Sequence, residues 1–170
     1  LQMREFRLNT DPTVSLRYFF ENWEIWETQG PKHATELASK ACDENFDIIA
    51  AVGGDGTCHE VINGMIHQDK PRNPKTSFGL IPFGTGSDLR RTLNIPTQIP
   101  QAIDVLANTK PILSDVGKCT LLGKKTTFAY FINVAGFGAN GEVARKVNNG
   151  SKKTFGTKMR KNDARICPEM

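Results

Sequence analysis

A chain of 170 residues with 38% hydrophobic content is long enough for one domain of ordinary size with a sizeable core, and hardly for two complete ones. No apolar run approaches the length of a membrane span and no charged-then-apolar leader opens the chain, so any membrane contact would be peripheral. The formal net charge is only +4, and Cys42, Cys58, Cys119 and Cys167 form no C-x-x-C pair, which argues against a disulfide framework or a thiolate zinc site and fits reduced, cytoplasmic thiols.

Helical and extended patterns alternate along the chain. Asp11 can cap a helix begun by Pro12. Residues 23–28 (WEIWET) alternate like a strand, and Tyr18, Phe19, Phe20, Trp23 and Trp26 read as core aromatics rather than a stacking platform. Pro31 opens a second helix whose Ala34, Leu37, Ala38 and Ala41 follow the i, i+3, i+4, i+7 pattern. Residues 46–52 (FDIIAAV) read as a buried strand, and Cys58, Val61, Ile62, Met65 and Ile66 fall on one face of the helix after it.

Between that strand and that helix stands Gly53-Gly54-Asp55-Gly56-Thr57. Three glycines around one carboxylate exceed what a plain turn needs. Glycine permits positive φ and close approach of backbone, and the unpaired N–H groups of a first helical turn attract an anion, so the stretch is expected to bind phosphate. Asp55 adds like charge beside such an anion. A divalent cation resolves the conflict, because Mg²⁺ is usually held by one or two carboxylates together with substrate phosphates and water. Asp55 could equally cap its own helix by accepting from the N–H groups of Thr57 or Cys58, and the two roles are compatible. Thr57 can cap the helix or donate to phosphate.

A second apolar run, residues 78–83 (FGLIPF), leads into Gly84-Thr85-Gly86-Ser87-Asp88. The carboxyl ends of strands form the ligand crevice of an open α/β sheet, so the two glycine-bearing bends are expected to share one cleft. Ser87 or Asp88 can cap a short helix through Arg90, Arg91 and Leu93, while the backbone of Gly84 to Gly86 and Thr85 would contact ligand. Pro100 opens another helix with Ile103, Leu106 and Ala107 inward. From Lys118 the pattern becomes a hairpin, KCTLL and TTFAYFINVA around a Gly123-Lys124-Lys125 turn. Arg145, Lys146, Lys152, Lys153, Lys158, Arg160, Lys161 and Arg165 then face only Asp163, which reads either as a solvated end or as attraction to an anionic membrane surface; nucleic acid fits poorly without interleaved aromatics.

These motifs resemble the catalytic domain of the diacylglycerol kinase family, which includes bacterial lipid kinases and the sphingosine and ceramide kinases. GGDGTCHEVINGM at 53–65 is similar to the family's GGDGT and its following Asn-Glu-containing helix, with His59 where Asn is usual and Glu60 retained. LIPFGTGSDLRRTL at 80–93 is similar to its Pro-x-Gly-Thr-x-Asn-Asp loop, with Ser87 in the Asn position. The likeness extends from about Trp23, through the stretch Glu27 to Ala34 with Thr28 as its nucleotide-contacting threonine, Asp115-Val116-Gly117 and Phe131 to Gly138, to about Gly156.

The resemblance implies a fold and a set of roles. The fold is α/β: a three-layer nucleotide-binding domain with a central, mostly parallel sheet over 1–114, then the start of a β-rich second domain over 115–170. Thr28, Gly53, Gly54, Asp55, Gly56, Thr57, Cys58, His59, Gly84, Thr85 and Gly86 would line an ATP site, with Asp55 as the catalytic and Mg²⁺-contacting carboxylate. The reaction implied is ATP-dependent transfer of the γ-phosphoryl group to a lipid hydroxyl, at a cytoplasmic, peripheral membrane location.

Departures from the family pattern also matter. No apolar strand with an Asn-Pro-x-x-Gly-like loop precedes Thr28, and the late segment that the family uses for a catalytic Glu and structural-metal carboxylates is not reached. The expectation is a nucleotide-binding portion, inactive alone. A non-catalytic nucleotide-binding module and an NAD kinase, which shares GGDGT, are the alternatives. Three lures fail on context. Gly136-Phe137-Gly138-Ala139-Asn140-Gly141 lacks a second parallel strand after it, His59-Glu60-Val61-Ile62-Asn63 puts Asn where zinc needs a second His, and Gly123-Lys124-Lys125-Thr126 lacks the upstream glycine of a phosphate loop.

Overall fold

Two parallel strands and the helices covering them carry most of the core. The computed structural model describes residues 12–83, 88–122 and 126–136. In chain order these form α1 (Pro12–Phe19), α2 (His33–Asp43), β1 (Ile48–Gly53), α3 (Asp55–Met65), β2 (Ile66–His67), β3 (Lys70–Pro71), β4 (Ser77–Pro82), α4 (Asp88–Thr92), α5 (Ile99–Asn108), β5 (Gly117–Leu121) and β6 (Thr127–Phe131).

β1 and β4 pair in parallel from Ile48 opposite Ser77 to Gly53 opposite Pro82. Parallel strands need a crossover, and α3 with the small β2–β3 hairpin supplies it. Side chains alternate across the ladder, so Gly79 and Leu80 point to opposite faces. A Cβ on Gly79 would meet Leu106 of α5 at 2.4 Å, whereas one on Gly53 would meet Thr57 of α3. Helices therefore cover both faces. The cluster of buried residues joins Ala34, Ala38 and Cys42 from α2, Ala51 from β1, Cys58, Val61, Ile62 and Met65 from α3, Leu80 from β4 and Tyr130 from β6.

α2 and α3 cross unusually closely because the facing residues are small. Gly64 of α3 sits against the backbone of α2, where an added Cβ would lie 2.3 Å from Thr35 O and 2.8 Å from Ala38 Cβ. Thr35 Oγ1 donates to Glu60 O at 2.9 Å and Ser39 Oγ to Gly64 O at 3.0 Å, so hydroxyls stitch the crossing on either side of that contact. Both α2 and α4 end at an asparagine in the left-handed region, Asn45 (φ 62°) and Asn94 (φ 53°). The next N–H, of Phe46 and of Ile95, reaches back to Ala41 O and Arg90 O, which closes each helix without glycine.

The sequence-based elements at 46–52 and 78–83 appear with small shifts of boundary, the expected hairpin over 118–135 appears with its second strand ending at Phe131, and α1, α2 and α5 start within a few residues of their prolines. Two expectations are corrected. Residues 23–28 form no strand, for the segment has no ladder partner among the described residues and alternation alone cannot hold it; Trp26 instead packs edge-on against Phe46, with Lys40 over its ring. Ile66 leaves the helix and opens β2, whose turn through Gln68 and Asp69 has positive φ at both residues. Asp11, the 123–125 turn and the basic stretch beyond 144 lie outside the described residues.

The β5–β6 hairpin docks on α3 rather than standing apart. Tyr130 is 5% exposed, and its hydroxyl donates to Asp69 Oδ1 at 2.6 Å while accepting from Asp69 N at 3.1 Å. Lys118 donates to both Asp69 oxygens. The Lys118 ammonium first, then the Tyr130 hydroxyl, hold the Asp69 carboxyl below its ordinary range, and the same bonds raise Lys118 and Tyr130. A depressed carboxyl stabilises the fold above its unfolded value of about 3.9, and that contribution is lost as pH falls through the lower folded value. Raised Lys118 and Tyr130 stabilise below about 10 and lose that contribution as pH climbs through their folded values. Hairpin docking, monitored by amide exchange of β6, is thus expected to be flat across neutral pH and to weaken at both extremes. Asp69→Asn should remove the acid limb; an unchanged limb would refute the assignment.

Candidate active site

The parallel register sets the two strand ends side by side. Gly53 lies opposite Pro82, and the Phe83 N–H donates to Gly53 O at 3.2 Å, so both bends leave the ladder from adjacent points. Gly84, Thr85, Gly86 and Ser87 lie outside the described residues, and the contacts expected of them lie there too. Past that bend the chain forms α4, whose first N–H groups reach the carboxylate at the start of α3.

Gly53 and Gly54 are buried where β1 meets α3. A Cβ on Gly53 would fall 2.5 Å from Thr57 Oγ1, so the strand end presses on the first turn of the helix. Close approach is the requirement at this point. Gly54, the residue before the helix, has φ −100° and ψ −168°, extended backbone open to any residue, which corrects the expectation that positive φ demands it. It also brings no side chain to cap the helix, so the first-turn N–H groups of α3 keep the donor character that suits an anion. The Cys58 N–H makes the first helical bond, to Gly54 O at 3.2 Å.

Asp55 does not cap its own helix. Its Oδ2 accepts from the Asp88 N–H at 3.1 Å and its Oδ1 from the Leu89 N–H at 3.2 Å, so the carboxylate caps α4 across the cleft. This corrects the expected bonds to Thr57 or Cys58, and it displaces Asp88 as the cap of α4: the Asp88 side chain instead pairs with Arg91 at 2.6 Å. Glu60 does the same for another helix. The residue before α2 is Lys32, which gives no side-chain cap, and Glu60 Oε2 accepts from the Ala34 N–H at 3.3 Å. One helix thus provides carboxylates for the amino ends of two others, where negative charge is favoured.

A cleft of ≈ 170 Å³ opens beside Asp55. Asp55, Cys58 and His59 form one wall, Asp88 and Leu89 of α4 a second, and Phe131, Ile132, Asn133 and Val134 the third. Burial first, and then the charge of Asp55, push the Cys58 thiol up to about 12, so it stays protonated and is no nucleophile. Burial holds the His59 ring below its ordinary histidine value, against the opposing effect of Glu60, and so keeps it uncharged at pH 7. His59 sits within α3.

Of the residues expected to bind ligand, Asp55, Cys58 and His59 line this cleft, while Gly53 and Gly54 form the bend into α3 and Gly56 and Thr57 its first turn, none of them among the lining residues. Thr28 is exposed in the irregular segment before α2 and is not among the lining residues. Among the described residues no three His, Cys, Asp or Glu side chains gather as a metal site, so a cation here would depend on Asp55 together with oxygens of its ligand. Asn63, the residue that spoils the H-E-x-x-H reading, is engaged by Tyr130. Sequence reasoning missed the third wall, Leu89 and the cross-helix roles of Asp55 and Glu60. An asparagine at Asn63, between apolar Ile62 and Gly64 on a helix, was the one available signal.

Comparison with known proteins gives these features a context. A profile described as the diacylglycerol kinase catalytic domain matches residues 11–119. A protein called diacylglycerol kinase from Staphylococcus saprophyticus is 37% identical over 131 residues, covering 77% of this chain and 39% of that protein. One of the same name from Staphylococcus aureus strain JH9 is 38% identical over 123 residues, covering 72% and 36%. The chain therefore spans about two fifths of the length of the curated relatives it matches. A crystal structure titled as a diacylglycerol kinase from Bacillus anthracis strain Sterne superposes with a TM-score of 0.53 at 24% identity, over 78% of this chain and 43% of that one, a likeness of fold.

Proposed function

This chain belongs to the diacylglycerol kinase catalytic-domain family, and from that premise we propose that it is the nucleotide-binding portion of an ATP-dependent lipid kinase. The observation that carries the reading is the pair of adjacent strand ends, with Gly53 and Gly54 delivering bare backbone into the amino end of α3 beside a cleft. The wider architecture is a three-layer nucleotide-binding domain, and the hairpin after Asp115 begins a β-rich second domain over 115–170. The basic residues beyond 144 supply charge that attracts an anionic leaflet.

In this reading the N–H groups of Asp55, Gly56 and Thr57 hold the phosphates, and Thr28 and the Gly84–Thr85–Gly86 backbone complete the nucleotide site. Asp55 fits a magnesium ion, since it lines the cleft and its oxygens retain lone pairs beyond the two amide bonds. When bound, Mg²⁺ supplies neutralisation of the phosphate charge. Everything else the chain contributes is position: phosphoryl transfer needs in-line placement and fixed donors rather than covalent chemistry from the protein. The neutral Cys58 and His59, and the pairing of Asp88 with Arg91, leave Asp55 as the carboxylate of the cleft without a cationic partner among the described residues, which suits a cation beside the phosphates. Protonated Cys58 takes no part as a nucleophile, and no general base is assigned among these residues.

Calorimetric titration of ATP with and without Mg²⁺ tests the reading. Binding that requires the metal is expected. A folded chain that binds no nucleotide, or binds it equally well in chelator, would end the proposal. Supplied with the C-terminal portion of one of the longer relatives, the chain should support phosphate incorporation into extracted lipid and not into NAD.

A further inference from the structure

The third wall of the cleft is held by a side chain that acts as a strand. Asn63, on the third turn of α3, donates from Nδ2 to Tyr130 O at 2.9 Å and accepts at Oδ1 from Tyr130 N at 2.9 Å. Its amide therefore pairs with both backbone groups of one β6 residue, as a neighbouring strand would. Lys118 stands opposite Tyr130 on β5, so Asn63 occupies the other edge of β6. The same Nδ2 also donates to His59 O at 2.8 Å, which fixes the amide on its own helix.

This contact joins two sides of one cavity. Phe131, Ile132, Asn133 and Val134 come directly after Tyr130, and His59, Cys58 and Asp55 lie one to two turns before Asn63 on the same helix. A half-buried amide whose partners are backbone groups has no equivalent substitute: deleting it leaves a donor and an acceptor of Tyr130 without partners on that edge. The Tyr130 hydroxyl makes a separate attachment to Asp69, beyond Met65 at the far end of α3, where Lys118 also holds that carboxylate from β5.

We propose that Asn63 is a positioning residue that sets the width of the cleft by clamping β6 to α3, and so sets how tightly the site grips the phosphates of a nucleotide; the second half rests on the function proposed above. The clamp itself can be read without any ligand. Cys58 lines the cleft and is 1% exposed, while Cys42 is equally buried at the C-terminal end of α2, away from it. In a Cys119→Ser, Cys167→Ser background, Cys58 then reports cleft opening and Cys42 reports general loosening.

The experiment compares Asn63→Ala and Asn63→Asp with the parent and with Tyr130→Phe, which strips the distal hydroxyl and leaves the clamped backbone. Labelling by a small thiol reagent, resolved by mass spectrometry, and Mg-ATP affinity by calorimetry are measured on each. Asn63→Ala is expected to label Cys58 about tenfold faster or more, with Cys42 unchanged, and to weaken Mg-ATP by about tenfold, the size expected for losing a paired set of buried hydrogen bonds. Asn63→Asp keeps the acceptor and loses the donor, and should fall between. Tyr130→Phe should leave both readouts near the parent. Parallel acceleration at Cys42 and Cys58, or none at either, would overturn the clamp; selective opening with unchanged affinity would overturn its role in binding. A parent chain that binds no Mg-ATP sinks the nucleotide reading alone, and the labelling still decides the clamp.

Discussion

Gly64→Val is expected to lower the unfolding free energy by about 3 kcal/mol, and Gly64→Ala to lower it as well, by about 1 kcal/mol or more. The second value has the informative sign. In a helix interior that faces nothing, alanine is better than glycine by nearly 1 kcal/mol, so a merely helical Gly64 would make the alanine variant more stable. Here the new Cβ would sit 2.3 Å from the backbone oxygen of Thr35, and neither partner is the free end of a flexible side chain. The helices must separate, and the hydroxyl bonds from Thr35 and Ser39 then lengthen together. Urea denaturation of the three proteins at matched m-values measures this. A raised midpoint for Gly64→Ala would show that α2 and α3 are not in contact at that point.

Asp55→Asn and Asp55→Ala are expected to separate the two functions of that carboxylate. Both oxygens accept backbone N–H groups at the start of α4, and hydrogen bonds to a charged acceptor contribute about 1.5–3 kcal/mol. Alanine removes them and should destabilise by roughly that amount, loosening α4. Asparagine keeps the shape and one acceptor but loses the charge. If Asp55 also meets the metal, Asn should weaken ATP binding in Mg²⁺ by about tenfold or more while leaving the weak metal-free binding nearly unchanged. Equal losses with and without Mg²⁺ would reduce Asp55 to a structural cap.

The sequence was most legible where periodicity and packing agree. Cys58, Val61, Ile62 and Met65 read as one helical face and are buried as one, and the strand at 46–52 ends at the glycines as its apolar run requires. Reading failed where a group's partner is remote in sequence. Nothing local distinguishes an Asp55 that caps its own helix from one that caps a helix 33 residues later, because the same carboxylate at the same turn satisfies either. Alternation at 23–28 suggests a strand, but a strand exists only by pairing, and pairing is not written in the segment itself. Gly64 looked like one more small residue in a motif. Its value comes from Thr35, Ala38 and Ser39 on a different helix, and only the crossing reveals it.

The burial of Cys58 also bears on the fate of the chain under oxidative stress. Peroxide attacks thiolate, and burial, which pushes the Cys58 thiol up to about 12, keeps it protonated at pH 7. The sulfur lining the cleft therefore resists sulfenylation, while among the described cysteines Cys119 on the hairpin is the exposed one. An oxidant burst would mark this protein on its outer surface and spare the pocket.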